Sequence, residues 1–166
     1  KSPGIMTWGA ITYDGLIGPF FFEENVNANS YLDLLENEVG PVIQGRNDFE
    51  ELWWQQDGAP AHYALVVREW LDEWFPSMWI GRRRPIEWPP RSPDLTPPDF
   101  FLWGYLRDKI YQHHIQNLDH LQQIIVDEFN QVPLNMCRKA CENVKLRLQA
   151  CIDADGAQVD FIMENR

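Results

Sequence analysis

Apolar residues occur along this chain in short dense runs at its beginning and at helical spacing farther on. Residues 5–13 and 16–22 are rich in β-branched and aromatic side chains and flank Asp14-Gly15. Two such runs around an Asp-Gly pair predict a β-hairpin with a type I′ turn, in which both central residues have positive φ. Pro19 in the second run indicates an edge strand or a bulge, because proline has no N–H to donate.

The middle and end of the chain combine helical periodicity with shorter extended segments. A cap at Asn27 or Asn29 predicts a helix through Val39, which Gly40-Pro41 should end or kink. The remaining pattern predicts strands at 52–56 and 85–88 and helices at 64–75, 99–111, 118–130 and 134–152, with Thr96 as a candidate cap of the helix at 99–111. Residues 78–80 are apolar and ambiguous. The helix at 64–75 should bury Leu65, Val66, Trp70, Leu71 and Trp74.

The order of these elements predicts a mixed α/β sheet with flanking helices, followed by C-terminal helices. With 166 residues and 45% apolar residues, the chain is long enough for one domain with a core and is not disordered by composition. It has no apolar run long enough for a membrane span and no signal-peptide layout, so we expect a soluble protein.

Charge is distributed unevenly. The net charge of −11 counts against a large nucleic-acid footprint, because phosphate binding is mainly electrostatic. One basic cluster, within residues 82–91, is the exception; it contains Arg82, Arg83, Arg84 and Arg91. These arginines fit either a solvated loop or a phosphate contact beside a site.

The three cysteines, Cys137, Cys141 and Cys151, form no Cys-x-x-Cys pair. Their odd number argues against a disulfide framework, and their spacing argues against a zinc site. We expect small, buried, reduced thiols in an intracellular protein.

Two aspartates occupy positions suited to metal binding. Asp57 follows the strand at 52–56, and Asp99 begins a helix after the strand predicted at 85–88. Ligands bind at the carboxyl ends of strands in open α/β sheets, and two carboxylates there suffice for Mg²⁺, which keeps several waters. Paired ions support in-line displacement at phosphorus, so the residues alone are compatible with a metal-dependent phosphatase or nuclease. Their spacing is equally compatible with a turn aspartate and a helix cap.

Two strings of residues are far more specific than this spacing. Residues 54–62, Trp-Gln-Gln-Asp-Gly-Ala-Pro-Ala-His, resemble the segment around the second catalytic aspartate of mariner-type transposases of the DDE/D superfamily. Residues 88–103, from Trp-Pro-Pro-Arg-Ser-Pro-Asp to Phe-Phe-Leu-Trp, resemble the segment around the third. Residues 8–21 resemble the hairpin between the first and second acidic residues. The resemblance covers about residues 5–115.

The resemblance implies a ribonuclease-H-like fold in which three carboxylates bind two Mg²⁺ or Mn²⁺ ions. Asp57 matches the second carboxylate and Asp99 the third, with 41 residues between them. The implied reaction is cleavage of transposon ends and strand transfer into target DNA. For such a reaction the phosphate-contact reading of the basic cluster makes its four arginines candidate DNA contacts. DNA partners, a homodimer and a nuclear location are implied in the same way.

The chain departs from the family pattern at its start. The family's first aspartate lies on a strand before the hairpin, and Asp14, at the predicted hairpin tip, is a poor substitute. The helix-turn-helix modules that precede the family's catalytic domain are also outside this sequence. We therefore expect an N-terminally truncated catalytic domain (1–115) with a C-terminal helical extension (116–166), which alone binds metal poorly and does not cleave DNA.

Two readings of function remain open at this level. The motifs favour a catalytic-domain fragment of a cut-and-paste transposase. The acidic balance favours a transposase-derived, inactive module that binds DNA or a protein. His62 fits either a role near the site or structural hydrogen bonding, and Asp94 fits a turn-former.

Overall fold

The computed structural model of the protein describes residues 4–160. Within that range the backbone forms two compact units, and the second is inserted into the first. The first unit contains the chain up to Phe21 and from Ser92 onward; the second contains Phe22–Arg91. The boundary predicted near residue 115 is not tested by this division and stays a prediction. None of the helices in the described range has the length and apolar character that a bilayer crossing requires.

The helices and strands follow the predicted order closely. The strands are β1 (Met6–Thr12), β2 (Gly15–Phe22), β3 (Trp54–Gln55) and β4 (Trp79–Ile80). The α-helices are α1 (Ala28–Leu34), α2 (Gly40–Gln44), α3 (Leu65–Trp74), α4 (Trp103–Ile110), α5 (Leu118–Asn130) and α6 (Leu134–Asp153). A π-helical turn (Leu35–Val39) joins α1 to α2, and a second (Pro98–Leu102) leads into α4. Short 3₁₀ turns occupy Phe49–Glu51 and Pro93–Leu95.

The hairpin is confirmed, but its turn differs from the predicted type I′. Positive φ occurs at Gly15 (124°) and not at Tyr13 or Asp14. The Thr12 hydroxyl accepts a hydrogen bond from the Asp14 N–H (3.2 Å) and donates one to the Gly15 carbonyl (2.9 Å). A hydroxyl therefore stabilises a turn in which only the glycine adopts positive φ. Because β1 and β2 form a two-stranded sheet, Pro19 lies on an edge strand, as predicted.

The first unit has a core between the hairpin and the C-terminal helices. Leu102, Leu106 and Phe129 are almost fully buried and form one apolar cluster. A Cβ atom at Gly9 on β1 would lie 2.8 Å from the Phe129 ring and 3.2 Å from the Trp103 ring. Glycine at this position lets β1 approach these helices closely.

The second unit contains a parallel strand pair that the sequence did not predict correctly. Trp54 pairs with Trp79, so the ambiguous segment 78–80 supplies the second strand. The strand predicted at 85–88 is wrong, since only an isolated bridge between Gly81 and Glu87 forms there. A positive φ at Arg83 (63°) interrupts the extended backbone before that segment. The strands within residues 4–160 thus form two two-stranded sheets.

Helical structure continues through Gly40-Pro41, where the sequence predicted an end or a kink. Asn27 caps α1 by accepting hydrogen bonds from the N–H groups of Asn29 and Ser30. The π-turn carries the chain into α2, with the Gly40 N–H donating to the Leu35 carbonyl five residues earlier. This shift in hydrogen bonding places Pro41 in the first turn of α2, where its missing N–H is tolerated.

The buried face of α3 contains Val67 in place of the predicted Leu65 and Val66. Val67, Trp70 and Leu71 are buried, and the Trp74 ring stacks on Trp70 at 4.7 Å between centroids. The positions at 67, 70, 71 and 74 form an i, i+3, i+4, i+7 stripe. Leu65 and Val66 lie before this stripe and are exposed, so their predicted burial is wrong.

Candidate functional site

Asp57 lies on the turn that follows β3, and one of its two carboxylate oxygens is held in place. Oδ1 accepts hydrogen bonds from the Ala59 N–H (3.1 Å) and from Nδ1 of His62 (2.5 Å). Among residues 4–160, no group donates to Oδ2. The side chain is 47% exposed. Asp57 is therefore oriented at one oxygen and accessible at the other.

These contacts favour the ionised form of the carboxyl group. The hydrogen bond from His62 is the main reason that the pKa of Asp57 lies below its usual range. Partial burial opposes this shift, and the Ala59 N–H adds to it. Because an ionised carboxylate only accepts hydrogen bonds, the Nδ1 atom of His62 carries the proton between them.

His62 is itself held by Tyr31 of α1 and by Gln56, the residue that follows β3. Its ring lies against the Tyr31 ring, with 4.5 Å between centroids. The buried Gln56 side chain donates to the His62 carbonyl (2.6 Å) and accepts from the Tyr31 hydroxyl (3.0 Å) and the Trp54 indole N–H (3.2 Å). Sequence reasoning missed Tyr31 and Gln56 as supports of this turn. The position of Gln56 immediately before Asp57 was the available signal.

Arg82 and Arg83 lie over a tyrosine that follows the Asp57 turn. Their guanidinium carbons lie 4.1 and 5.2 Å from the centre of the Tyr63 ring. The Arg82 stem also lies close to Gly58, where an added Cβ would come within 3.1 Å of its Cδ atom. Neither arginine forms an ion pair within the described residues. This arrangement leaves two positive charges available next to Asp57.

Arg84 has a different environment from its neighbours. Its guanidinium group forms an ion pair with Asp72 (2.8 Å) and lies over the Trp79 ring at 4.5 Å. The Trp79 indole N–H donates to the same Asp72 carboxylate (2.9 Å). Arg84 is therefore committed to contacts within the second unit. Arg91, at the end of that unit, is exposed and has positive φ (56°).

Asp99 lies in the first unit, in the π-turn that leads into α4, and is exposed. Its N–H donates to the Thr96 carbonyl (2.9 Å). Thr96 does not cap this helix as predicted, because its hydroxyl donates to the Ser92 carbonyl (3.1 Å) and no side chain caps the turn. Leu102, fully buried in the core cluster, anchors the same turn.

Asp94 and Asp14 lie in quite different surroundings. Asp94 sits in a 3₁₀ turn and is 4% exposed, and its carboxylate accepts a hydrogen bond from the Val159 N–H (2.8 Å). Asp14 is exposed at the hairpin tip, as expected, with Arg138 at 3.7 Å. Val159, in the segment after α6, is buried, and residues 161–163 lie outside the described range.

The donor chemistry of the candidate carboxylates suits a hard divalent cation. Mg²⁺ and Mn²⁺ prefer oxygen ligands, and Asp57 offers an accessible carboxylate oxygen. Within residues 4–160, no three His, Cys, Asp or Glu side chains come together at a spacing suited to a metal. Asp57 and Asp99 belong to different compact units, and their pairing stays a prediction.

Comparison with known proteins points to one group of DNA-mobilising enzymes. The chain is 27% identical over 161 residues to the transposable element Tc3 transposase of Caenorhabditis elegans, covering 95% of this chain and 46% of that protein. It is 26% identical over 153 residues to the Tc1 transposase of the same organism, covering 92% and 52%. The chain thus spans about half the length of the curated relatives it matches. No family model matches it.

Solved structures show the same relationship at the level of fold. The crystal structure of the catalytic domain of Mos1 mariner transposase aligns with a TM-score of 0.75 and 20% identity, covering 90% of this chain and 74% of that one. A Mos1 mariner paired end complex with Mn aligns with a TM-score of 0.77 and 21% identity, covering 93% and 45%. The expected ribonuclease-H-like fold is therefore confirmed. The chain is homologous to the Tc1/mariner transposases and has the fold of the Mos1 catalytic domain.

Proposed function

We propose that this chain is part of the catalytic domain of a cut-and-paste DNA transposase, with Asp57 and Asp99 as two of its metal-binding carboxylates. The observation that carries the proposal is the Asp57 turn. Its carboxylate is ionised, oriented by His62 and open at Oδ2, within a string that resembles the family's second catalytic segment. A turn-forming aspartate would require only the contact with Ala59.

The proposed cofactor is a pair of Mg²⁺ or Mn²⁺ ions. Bound ions of this kind lower the pKa of an attacking water or hydroxyl and stabilise the leaving oxygen at phosphorus. Asp57 and Asp99 would supply carboxylate oxygens to them, and His62 would keep Asp57 in the binding rotamer. The Mos1 transposase catalytic domain has been solved with Mn and with Mg, which supports this choice of metal by homology.

The proposed partners are transposon-end DNA and target DNA. Arg82 and Arg83 carry the DNA contact next to Asp57, because both have positive charge beside the turn and neither has an acidic partner in the described residues. Arg91 is proposed as a further phosphate contact. Mos1 has been solved as a paired end complex, and by analogy we propose a dimeric assembly that acts in the nucleus.

The decisive test is metal-dependent cleavage of the matching transposon-end DNA by the full-length protein. Asp57→Asn and Asp99→Asn remove one negative charge each while keeping side-chain volume. We expect each to reduce Mn²⁺-dependent cleavage by at least about 10³-fold, since metal-ion stabilisation of the reacting oxygens contributes several kcal/mol. Asp14→Asn, at the exposed hairpin tip, is the matched control and should cleave like the parent.

A measurement of DNA binding distinguishes a loss of cleavage chemistry from a loss of DNA recognition. Both asparagine variants should retain the affinity of the parent for transposon-end DNA, measured by fluorescence anisotropy in Ca²⁺. Cleavage by either variant at the parental rate would contradict the assignment of that residue. DNA binding by the parent without cleavage at any Mn²⁺ or Mg²⁺ concentration would instead identify a binding module without catalytic activity.

A further inference from the structure

We propose that the segment after α6 acts as a latch that holds the turn before Asp99 and thereby positions this carboxylate. The latch contains Val159 and Asp160, which contact Asp94 in the turn and Arg147 on α6. Asp94 and Arg147 are positioning residues in this proposal, because they act through the backbone around Asp99. The functional part rests on the proposed role of Asp99, whereas the latch itself is a structural relationship.

The first contact joins positions 65 residues apart. Oδ2 of Asp94 accepts a hydrogen bond from the Val159 N–H at 2.8 Å, and the Val159 side chain is fully buried. A turn-forming aspartate normally bonds to backbone N–H groups two or three residues ahead. Asp94 does not do so within the described residues, and its carboxylate instead accepts from Val159 in the segment after α6. A buried carboxylate without this donor would be strongly disfavoured.

The second contact runs through Arg147 on α6, whose side chain is only 11% exposed. Its Nη1 atom donates to the Asp94 carbonyl (2.8 Å) and to Oδ1 of Asp160 (2.8 Å). Its guanidinium group lies over the Phe100 ring, 4.1 Å from the centroid. Arg147 therefore contacts the turn before Asp99, the residue after Asp99 and the segment after α6.

Asp99 lies between the two points that Arg147 contacts. Asp94 is five residues before it and Phe100 is its immediate neighbour, and both are tied to α6. Asp99 itself is exposed in the π-turn that leads into α4. Metal ligands need positional precision of about half an ångström, which supporting contacts must supply. The latch supplies such contacts from a distant part of the chain.

Hydrogen exchange on the full-length protein tests the latch directly. Asp94→Ala removes the acceptor for the Val159 N–H, whereas Asp94→Asn keeps a carbonyl oxygen that can accept it. We expect Asp94→Ala to speed exchange at the amides of Val159, of Leu95 and Thr96 and of residues 99–102 by about tenfold or more, because a buried N–H loses its partner. Asp94→Asn should have a smaller effect. Gln149→Ala, which removes an exposed side-chain hydrogen bond on the same helix, is the control and should leave these amides unchanged.

A Mn²⁺ titration tests the positioning role separately. In Asp94→Ala and Arg147→Ala, half-maximal cleavage should require about tenfold more Mn²⁺, since groups that orient metal ligands affect metal affinity by such factors. At saturating Mn²⁺ both variants should cleave at the parental rate, and their affinity for DNA should equal that of the parent. A merely structural role would lower the active fraction equally at every Mn²⁺ concentration.

The two experiments fail in different ways. Unchanged exchange at Leu95, Thr96 and residues 99–102 in Asp94→Ala, or faster exchange spread evenly over the first unit, would overturn the latch. Faster local exchange with an unchanged Mn²⁺ requirement would overturn the positioning of Asp99. A parent protein that never cleaves DNA would remove the proposed function, and the exchange data alone would then decide whether the latch exists.

Discussion

The Nδ1 atom of His62 lies 2.5 Å from Oδ1 of Asp57 and fixes the rotamer of that carboxylate. The histidine ring is fixed in turn by the Tyr31 ring, and its backbone carbonyl by Gln56. The Nδ1 atom of His62 is therefore occupied by its hydrogen bond to Asp57. This arrangement assigns His62 to orientation of the carboxylate, and a role for Nδ1 in binding metal is not needed.

Replacing His62 tests that orientation. In His62→Ala, Asp57 keeps only the hydrogen bond from Ala59, so its carboxylate gains rotational freedom. We expect Mn²⁺-dependent cleavage to fall by about 10–100-fold, the usual effect of losing a group that orients a metal ligand. Cleavage assays at fixed Mn²⁺ measure the loss, and circular dichroism checks that the variant is folded.

His113→Ala is a matched control for the previous variant. His113 also pairs with a carboxylate, Glu128, at 2.7 Å, but this pair lies elsewhere in the chain. Its removal should leave cleavage unchanged. Equal losses in His62→Ala and His113→Ala would indicate a general effect on stability and would exclude a specific role for His62.

Arg82 and Arg84 should respond differently to substitution although they are close in sequence. Arg82→Ala removes a charge that has no acidic partner in the described residues, so DNA binding should weaken and its salt dependence should decrease by about one counterion. Fluorescence anisotropy across a series of salt concentrations measures both. The fold should be unaffected, since Arg82 contributes only its contacts with Tyr63 and Gly58.

Arg84→Ala should affect stability instead of binding. The substitution leaves Asp72 without its ion-pair partner and removes the guanidinium group from the Trp79 ring. Because Asp72 is half exposed, we expect a loss of only about 0.5–1 kcal/mol in the free energy of unfolding. A decrease in the salt dependence of DNA binding equal to that of Arg82→Ala would contradict this division of roles.

Substitution of glycine by alanine should have opposite effects at Gly40 and Gly104, which both lie in helical segments. A Cβ at Gly40 would lie 2.8 Å from the Leu35 carbonyl oxygen and 2.9 Å from the Trp74 ring. Gly40→Ala should therefore lower the free energy of unfolding by about 1–3 kcal/mol through overpacking. Gly104, in α4, has open space around its Cβ position, and Gly104→Ala should raise it by about 0.5–1 kcal/mol. Urea denaturation measures both, and a stabilising Gly40→Ala would contradict the packing described for α3.

Cys141 should be an unusually weak nucleophile. Burial, and then the neighbouring Cys137 and Glu142, raise the pKa of the Cys141 thiol to about 11. Its iodoacetamide labelling rate should therefore keep rising with pH up to about 11, whereas an ordinary thiol reaches a plateau near 9. Peptide mass spectrometry at short labelling times gives the rate, with urea-unfolded chain as the control. Since the folded state binds this proton more tightly, the contribution of the proton to stability is fully present below the ordinary thiol pKa and is lost as pH rises through about 11.

Local signals in the sequence predicted the elements that local interactions determine. The hairpin around Asp14-Gly15 and the helices α5 and α6 agree with the structure because turn residues, caps and periodicity lie within each segment. The pairing of Trp54 with Trp79 was missed, since both strands are short and their partners are distant in sequence. The bond from Val159 to Asp94 was missed for the same reason.

The same distinction between local and distant interactions applies to the candidate site. Asp57 and Asp99 could be proposed from the sequence because they lie in strings specific to a family, and their role as metal ligands stays a prediction. Tyr31 and Gln56, in contrast, looked like ordinary helix and strand residues. Their role depends on α1 packing beside the Asp57 turn, which no local pattern encodes. The basic cluster was predicted as a set, and only the structure separates Arg84 from Arg82.

The insertion of one unit into the other has a consequence for the order of events during synthesis. The second unit is continuous in sequence and holds all the residues of its own core by the time Arg91 has been made. The hairpin precedes this unit in the chain, whereas its packing partners Trp103 and Phe129 follow it. Because distant contacts close slowly, the packing of β1 on these partners is completed after the core of the second unit. During that interval the apolar face of β1 is exposed, and aggregation in a growing chain should begin there.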